Sequence, residues 1–182
     1  MNLIEITEKK YNVSIELAYA TKNNFTGKII YNKSKCYIHK DAEPYLIAAI
    51  NIAKKLGYKI KIYDAYRPIK AQKFLWDFWP DKNFITPPEI GSPHSRGIAI
   101  DLTLMKNNKT INMGTKFDYL KNKSFHGNTT ITNIAQKNRI ILLGIMSSAG
   151  WDFYKNEWWH YQLFNSKKWP LINDKDEKIE LM

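Results

Sequence analysis

The chain has 182 residues, 44% of them hydrophobic, with only 8 glycines and 7 prolines. This composition is that of a folded domain with a substantial core, and it excludes a long disordered chain. The net charge of +11 raises the question of nucleic-acid binding. The basic residues are almost all lysines scattered along the chain, without a basic stripe interleaved with aromatic residues, so we expect no nucleic-acid partner. A single cysteine, Cys36, excludes an intramolecular disulfide.

The N-terminal residues do not have the pattern of a signal peptide. Acidic residues come early, and no basic region is followed by an apolar run. No window approaches the ~20 apolar residues that a membrane span needs. We therefore expect a cytoplasmic protein with no membrane partner. Since neither repeats nor a low-complexity linker interrupt the sequence, we expect a single domain over residues 1–182.

The first half of the chain predicts two strands and two helices. Alternation of apolar and polar residues predicts a strand over Ser14–Ala20. The segment DAEPYLIAAINIAKKLG predicts a helix with Asp41 as N-cap and Gly57 as its stop signal. YKIKIYDAYRP then alternates strictly and predicts a central strand that places Arg67 at its end. A second helix is expected to begin at Pro68.

The second half predicts a hairpin, a helix and an aromatic strand. In RGIAIDLTLM, Asp101 alternates with a row of apolar residues, so burial of that row turns Asp101 toward a cleft. KNNK at residues 106–109 predicts a hairpin turn. The segment after Thr132 predicts a third helix that stops at Gly150, and EWWHYQLF predicts the last strand. Helices and hairpins without βαβ alternation predict an α+β fold, with a mostly antiparallel central sheet flanked by helices.

The stretch SPHSRGIAID, residues 92–101, contains the first candidate for a metal site. It places His94 and Asp101 seven residues apart. Catalytic zinc sites take three ligands from His, Asp and Glu and leave a fourth position for water. His160 in EWWHY can complete such a set. Glu157 can then act as the general base, provided that the chain bends so that both side chains share a cleft.

Arg67 is the candidate for stabilising charge in the transition state. Attack of an activated water on a carbonyl carbon gives a tetrahedral intermediate whose oxyanion needs a positive donor already in place. An arginine held at a strand end by the following Pro68 fits this role.

Each of these residues also has an ordinary structural explanation. His94 can be a simple loop histidine, and Asp101 can cap a turn or pair with a lysine. His39 and His126 lack His or carboxylate neighbours at ligand spacing, so we expect them in solvated loops. The sequence has neither a G-x-S-x-G elbow nor an H-E-x-x-H helix, so a zinc site here has a different geometry from that of the H-E-x-x-H peptidases.

Five segments resemble those of the VanX-type D-alanyl-D-alanine dipeptidases and follow the same order, from about Tyr19 to Tyr161. They are YATKNNFTGKIIY, YDAYRP, SPHSRGIAIDLTL, MGTKFDYL and EWWHY. That zinc peptidase family also contains D,D-carboxypeptidases and shares its fold with the hedgehog signalling domain. The resemblance implies a zinc peptidase with one Zn²⁺ per chain that hydrolyses D-Ala-D-Ala to two D-alanines.

The resemblance also implies roles for individual residues. The zinc ligands are the three residues His94, Asp101 and His160. Glu157 is the general base and acid, and Arg67 stabilises the transition state. Tyr19, Ser92 and Asp118 match the polar residues that hold the free amino end of the substrate. An acid suits this place because a buried ammonium needs an opposite charge, and it would restrict cleavage to very short peptides.

Two departures from the family pattern bear on the substrate. Pro93 stands where a serine is common, and the connection from Trp79 to Gly91 is shorter than in the resistance enzymes. We expect this connection to lie over the cleft. The alternatives are a D,D-carboxypeptidase acting on peptidoglycan peptides and a non-catalytic zinc-containing binding module. The presence of both Glu157 and Arg67 counts against the second, since a structural zinc needs neither.

Overall fold

The computed structural model describes residues 1–173, 176–177 and 179–182. The helices and strands among these residues are β1 (Leu3–Ile6), α1 (Glu8–Tyr11), β2 (Ser14–Ile15), β3 (Cys36–His39), α2 (Glu43–Lys55), β4 (Lys59–Asp64), α3 (Ile69–Phe78), β5 (Ala99–Lys106), β6 (Lys109–Thr110), α4 (Asn133–Ser148), β7 (Asp152–Phe153) and β8 (His160–Gln162). Short 3₁₀ turns occupy Ala18–Ala20, Lys40–Ala42, His94–Arg96, Asn122–Ser124 and Ser166–Lys168.

The main sheet has six strands in the order β2-β4-β5-β8-β7, with β6 paired to the end of β5. Only the β2–β4 pair is parallel among these pairings, and β1 and β3 form a separate antiparallel pair. Helices and strands therefore mix as the sequence predicts, and the α+β class with a mostly antiparallel sheet is confirmed. No helix among the described residues has the length and apolar character to cross a membrane.

One face of the central strands carries the core. Ile60 and Ile62 of β4 lie opposite Leu104 and Leu102 of β5. The same buried cluster includes residues from α2 and α4: Leu46, Ala49, Ala53, Leu142, Ile145 and Met146. Because side chains alternate along a strand, the other face of β5 carries Asp101 away from this core.

Helix and turn signals in the sequence correspond closely to the structure. Thr132 caps α4 by accepting a hydrogen bond from the backbone N–H of Ala135. The turn between β5 and β6 has two asparagines with positive φ, the type I′ geometry of a tight hairpin. Asp41, however, is not the N-cap of α2. It lies in the preceding 3₁₀ turn, and Ala42 occupies the cap position.

Three predicted strands are shorter than expected. The strand predicted to carry Arg67 at its end stops at Asp64. The strand predicted over Ser14–Ala20 ends at Ile15, and residues 18–20 form a 3₁₀ turn. The reason is that the carbonyl of Tyr19 accepts hydrogen bonds from the N–H groups of Ile30 and Tyr31 rather than from a strand. In EWWHYQLF only His160–Gln162 is a strand, because the three residues before it form a turn.

Candidate metal centre and active site

Strand pairing brings two of the candidate ligands together. Asp101 of β5 lies directly opposite His160 of β8 in their antiparallel register. Side chains of directly opposed residues project from the same face of a sheet, so both reach the same point. The two segments are 59 residues apart in the chain.

The third candidate ligand comes from the turn that precedes β5. His94 begins the 3₁₀ turn that Gly97 ends, with φ of +70°. A Cβ on Gly97 would lie 2.7 Å from a Leu3 methyl and 3.1 Å from the backbone nitrogen of His39. Glycine is thus required both for the backbone conformation and for the close approach of β3.

The three ligand atoms lie close enough to hold one metal ion. His94 Nε2 is 3.1 Å from His160 Nδ1, and Asp101 Oδ1 lies 3.3 Å and 3.0 Å from these two nitrogens. All three side chains are buried. Among the described residues they form the one group of three or more His, Cys, Asp or Glu side chains that fits a metal ion.

The outer partners of the histidines suit metal binding. His94 Nδ1 donates a hydrogen bond to the Ala65 carbonyl at 2.7 Å, and His160 Nε2 faces Gln162 Oε1 at 3.1 Å. Carbonyl oxygens only accept, so these contacts place the protons on the outer nitrogens and leave lone pairs on the inner ones. Two imidazole nitrogens and a carboxylate oxygen directed at one point are a ligand set that fits zinc.

The electrostatics of the site also favour a cation. Burial alone would raise the pKa of Asp101, but the two histidines lower it below the usual range. Burial would lower the pKa of His160, yet Asp101 raises it. The carboxylate therefore stays ionised and favours a positive charge beside it, whether a proton or a metal ion.

Gln162 offers a test of this outer support. Gln162→Leu removes the acceptor for His160 Nε2–H, and we expect the dissociation constant for zinc to rise by about 10–100-fold, as is usual for such partners. Gln162→Glu keeps an acceptor oxygen and serves as the matched control. Zinc affinity is measured by competition with a chromophoric chelator. Unchanged affinity in a folded Gln162→Leu variant would contradict a role for this contact.

Arg67 lies just beyond β4 and is held on three sides. Its Nε and Nη2 each lie 2.9 Å from Asp64 Oδ2, and Nη1 donates to Gln72 Oε1 at 2.9 Å. Nη2 is also 3.5 Å from Asp101 Oδ2. Burial alone would lower the pKa of Arg67, but the neighbouring acidic groups raise it, so the guanidinium stays charged beside the candidate metal ligands. Tyr31 completes the support by donating to Asp64 Oδ1.

Glu157 occupies the turn that leads into β8. The turn is closed by hydrogen bonds from Glu157 N–H to the Tyr154 carbonyl and from His160 N–H to the Glu157 carbonyl. Glu157 Oε2 lies 3.9 Å from His160 Nδ1, so the expected bend is present. Burial raises the pKa of Glu157 to about 8, with Asp101 and Asp118 adding to the effect. A carboxyl group with its pKa near neutrality can both accept and return a proton.

Asp118 and Tyr19 meet in the wall of the same cavity. Tyr19 Oη donates to Asp118 Oδ1 at 3.2 Å, and the Phe25 N–H lies 3.5 Å from Oδ2. Burial and the charge of Asp101 raise the pKa of Asp118 to about 8. Ser92 Oγ accepts from the His94 N–H at 3.2 Å, which places its hydroxyl beside the first ligand.

The eight residues predicted from the sequence line one cavity of about 240 Å³. They are Tyr19, Arg67, Ser92, His94, Asp101, Asp118, Glu157 and His160. Sites for drug-sized ligands usually occupy ~300–1,000 Å³, so this cavity suits a small molecule.

The connection from Trp79 to Gly91 forms part of the cavity wall, as expected, through Lys82 and residues 84–86. Hydrogen bonds from the rest of the protein hold it in place, among them those to Thr86 and Asn83. Gln72 Nε2 donates to the Thr86 carbonyl, and Tyr154 Oη donates to the Asn83 carbonyl.

Two supporting residues, Asp64 and Gln72, do not emerge from the sequence analysis. Asp64 could have been recognised from the sequence. It continues the alternation of β4 in which Ile60 and Ile62 are the buried residues, so a buried carboxyl group could be expected there. Gln72 has no such signal, since an internal helix glutamine is usually a surface residue.

The expectation of solvated loops for the other two histidines is wrong. His39 is buried in β3, where its Nδ1 accepts from the Asp41 N–H. His126 is half-buried, with its ring against Phe153 and Tyr161. Both are packing residues, and among the described residues neither belongs to a cluster that fits a metal ion.

The fold and the site together define a metal-dependent peptidase of α+β architecture. The family model for D-Ala-D-Ala dipeptidases of the peptidase M15 group matches residues 1–178, so the chain belongs to this family of zinc metallopeptidases. The expected resemblance to VanX-type enzymes is confirmed.

Two curated relatives and one solved structure are consistent with this family assignment. The D-alanyl-D-alanine dipeptidase of Escherichia coli (strain K12) is 41% identical over 90% of this chain and 85% of its own length. That of Enterococcus faecalis is 34% identical over 88% of this chain and 90% of its own. Among solved structures, the LdcB LD-carboxypeptidase covers 99% of this chain and 75% of its own with a TM-score of 0.54 at 17% identity, which shows the fold alone.

Proposed function

We propose that this protein hydrolyses free D-Ala-D-Ala to two D-alanines with one zinc ion per chain. The observation that carries the proposal is the convergence of three ligand side chains, a buried carboxyl group and a buried arginine on one small cavity. The names of the curated relatives support the choice of substrate.

In this proposal His94, Asp101 and His160 hold the zinc ion. When bound there, zinc acts as a Lewis acid and lowers the pKa of a water molecule from about 15.7 to roughly 7. Glu157 takes the proton from the attacking water and passes it to the nitrogen of the departing D-alanine. Arg67, whose guanidinium faces the cavity, stabilises the negative oxygen of the tetrahedral intermediate.

The other polar residues of the cavity orient the substrate. The substrate ammonium lowers the raised pKa of Asp118 and pairs with its carboxylate, which Tyr19 holds in place through its hydroxyl. The Ser92 hydroxyl supplies a polar contact beside His94. A group that pairs with a free amine distinguishes a dipeptidase from a carboxypeptidase, since the latter acts on longer chains.

The direct test measures zinc content and D-alanine release on a panel of D,D-, L,D- and L,L-dipeptides, each free and N-acetylated. We expect one zinc per chain, and turnover of free D-Ala-D-Ala that a chelator abolishes and added zinc restores. Equal rates on free and acetylated D-Ala-D-Ala would instead support the D,D-carboxypeptidase alternative. Absence of turnover on the whole panel would overturn the proposal.

Asp118→Asn isolates the contribution of the amine anchor. Removing one partner of a buried charge pair costs about 2 kcal/mol or more, on the order of 30-fold in kcat/KM. We expect that loss for free D-Ala-D-Ala, and a much smaller change for N-acetyl-D-Ala-D-Ala, which has no ammonium. The measurement is kcat/KM for both substrates at constant pH and zinc. An equal loss on both would show that Asp118 acts on the fold or the metal rather than on the amine.

Two further properties stay predictions. They are the organisation of residues 1–182 as a single domain and the cytoplasmic location.

A further inference from the structure

A second cavity lies beside the active-site cavity on the same side of the sheet. This groove, of about 500 Å³, is lined by Thr103 of β5 and by Tyr63, Phe117 and Trp158 among others. Thr103 follows Asp101 by two positions in β5, so their side chains project from the same face, roughly 7 Å apart along the strand. The groove therefore lies on the same face of β5 as the candidate metal ligand Asp101.

An aromatic wall centred on Phe117 separates the two cavities. The Phe117 ring stacks on Tyr63 with centroids 4.9 Å apart. Its other contacts are edge contacts with Trp159 at 5.4 Å and Tyr19 at 6.2 Å. Tyr19 and Trp159 line the active-site cavity, whereas Phe117 and Tyr63 line the groove. Phe117 thus supports the wall of the active-site cavity from behind.

The position of Asp118 relates this wall to the proposed binding site for the substrate amine. Asp118 adopts a left-handed conformation, with φ of +59°, and its carboxylate lines the active-site cavity beside Tyr19. Neighbouring residues thus place the proposed amine anchor in the active-site cavity and the Phe117 ring in the wall behind it. A residue added to the substrate nitrogen would have to extend past Asp118 into this wall.

The groove has an unsatisfied polar group on its floor. Thr103 Oγ1 is fully buried and has no hydrogen-bond partner within the described residues. A buried hydroxyl without a partner is unusual in a folded protein.

We propose that Phe117 determines the length of substrate that this enzyme accepts. Its ring holds Tyr19 and Trp159 in place at the boundary between the two cavities and so limits the substrate to a dipeptide. Loss of the ring removes this support, lets those two side chains move toward the groove and admits a peptide with one more residue at its amino end. This inference rests on the proposed hydrolysis of D-Ala-D-Ala and concerns only the upstream limit of the site.

The test compares D-Ala-D-Ala with Gly-D-Ala-D-Ala, which contains the same scissile bond after one small residue. For Phe117→Ala we expect the ratio of kcat/KM, tripeptide over dipeptide, to rise at least about tenfold over that of the wild type, the size of effect that pocket shape exerts on specificity. Phe164→Ala is the matched control. Phe164 is 57% exposed and lines neither cavity, so the ratio should not change.

The outcomes separate this inference from the proposed function. If the wild type fails to cleave D-Ala-D-Ala, the proposed function is wrong. If it cleaves the dipeptide but also cleaves the tripeptide equally well, or if Phe117→Ala leaves the ratio unchanged, the role of Phe117 is wrong. Zinc content and circular dichroism monitor folding. Should the alanine variant not fold, Phe117→Leu decides by the same ratio, with a smaller rise expected and an unchanged ratio overturning the inference.

Discussion

Replacing Glu157 with glutamine is expected to lower kcat for D-Ala-D-Ala by about 10²–10⁴-fold, the usual contribution of a general acid–base group. Glutamine has nearly the same shape but cannot accept the proton of the attacking water. Because Glu157 is not one of the three converging ligands, the variant should still bind one zinc ion per chain. The two readouts are steady-state kinetics and metal analysis on the same preparation.

A matched control is Glu89→Gln, since Glu89 is exposed and does not line the active-site cavity. This variant should retain wild-type kcat. Full activity in Glu157→Gln would contradict the proposed mechanism. Loss of zinc together with activity would indicate that Glu157 supports metal binding rather than proton transfer.

Arg67→Lys is expected to lower kcat by about 10²–10³-fold, corresponding to roughly 2.7–4 kcal/mol for a lost oxyanion donor. Lysine keeps the charge, but it cannot contact Asp64 and Gln72 together and still present a donor to the cavity. The larger truncation Arg67→Ala also leaves Asp64 buried without its cation, and we expect it to destabilise the fold by ~3–5 kcal/mol. Kinetics and denaturant unfolding distinguish the two effects.

Arg96→Lys provides the control for Arg67→Lys. Arg96 also lies next to a metal ligand segment, but its guanidinium donates to the carbonyl of Ile90 and does not line the cavity. Near wild-type kcat is expected for this variant. A kcat in Arg67→Lys equal to that of Arg96→Lys would show that Arg67 has a structural role only.

The candidate metal ligands could be anticipated from their residue types and from the resemblance of their segments to the family, because a loop histidine such as His94 has no local pattern of its own. Alternation in β5 fixes which face carries Asp101, and burial of its apolar neighbours leaves one orientation. The role of Glu157 depended on a bend that alternation alone does not indicate. The structure supplies that bend by backbone hydrogen bonds within the turn.

What the sequence did not reveal depends on contacts between distant segments. The strand predicted through Tyr19 ends early because residues 30 and 31 capture the Tyr19 carbonyl, a pairing that no local pattern encodes. Gln72 matters only because Arg67 and the Thr86 carbonyl approach it from two other segments. The prediction of a solvated loop for His39 was wrong for the same reason, since its burial arises from the packing of β3 against the turn at Gly97.

In the proposed mechanism, the opposition of Asp101 and His160 across two strands makes catalysis depend on the packing of the interior. A slip of one residue between β5 and β8 would turn one of the two side chains to the helix-covered face and separate the pair. The apolar residues that prevent this slip, such as Ile100 and Leu102, are fully buried and do not line the active-site cavity. Substitutions among them should therefore be judged by metal affinity as well as by melting temperature, because the packing that stabilises the protein also aligns its reactive groups.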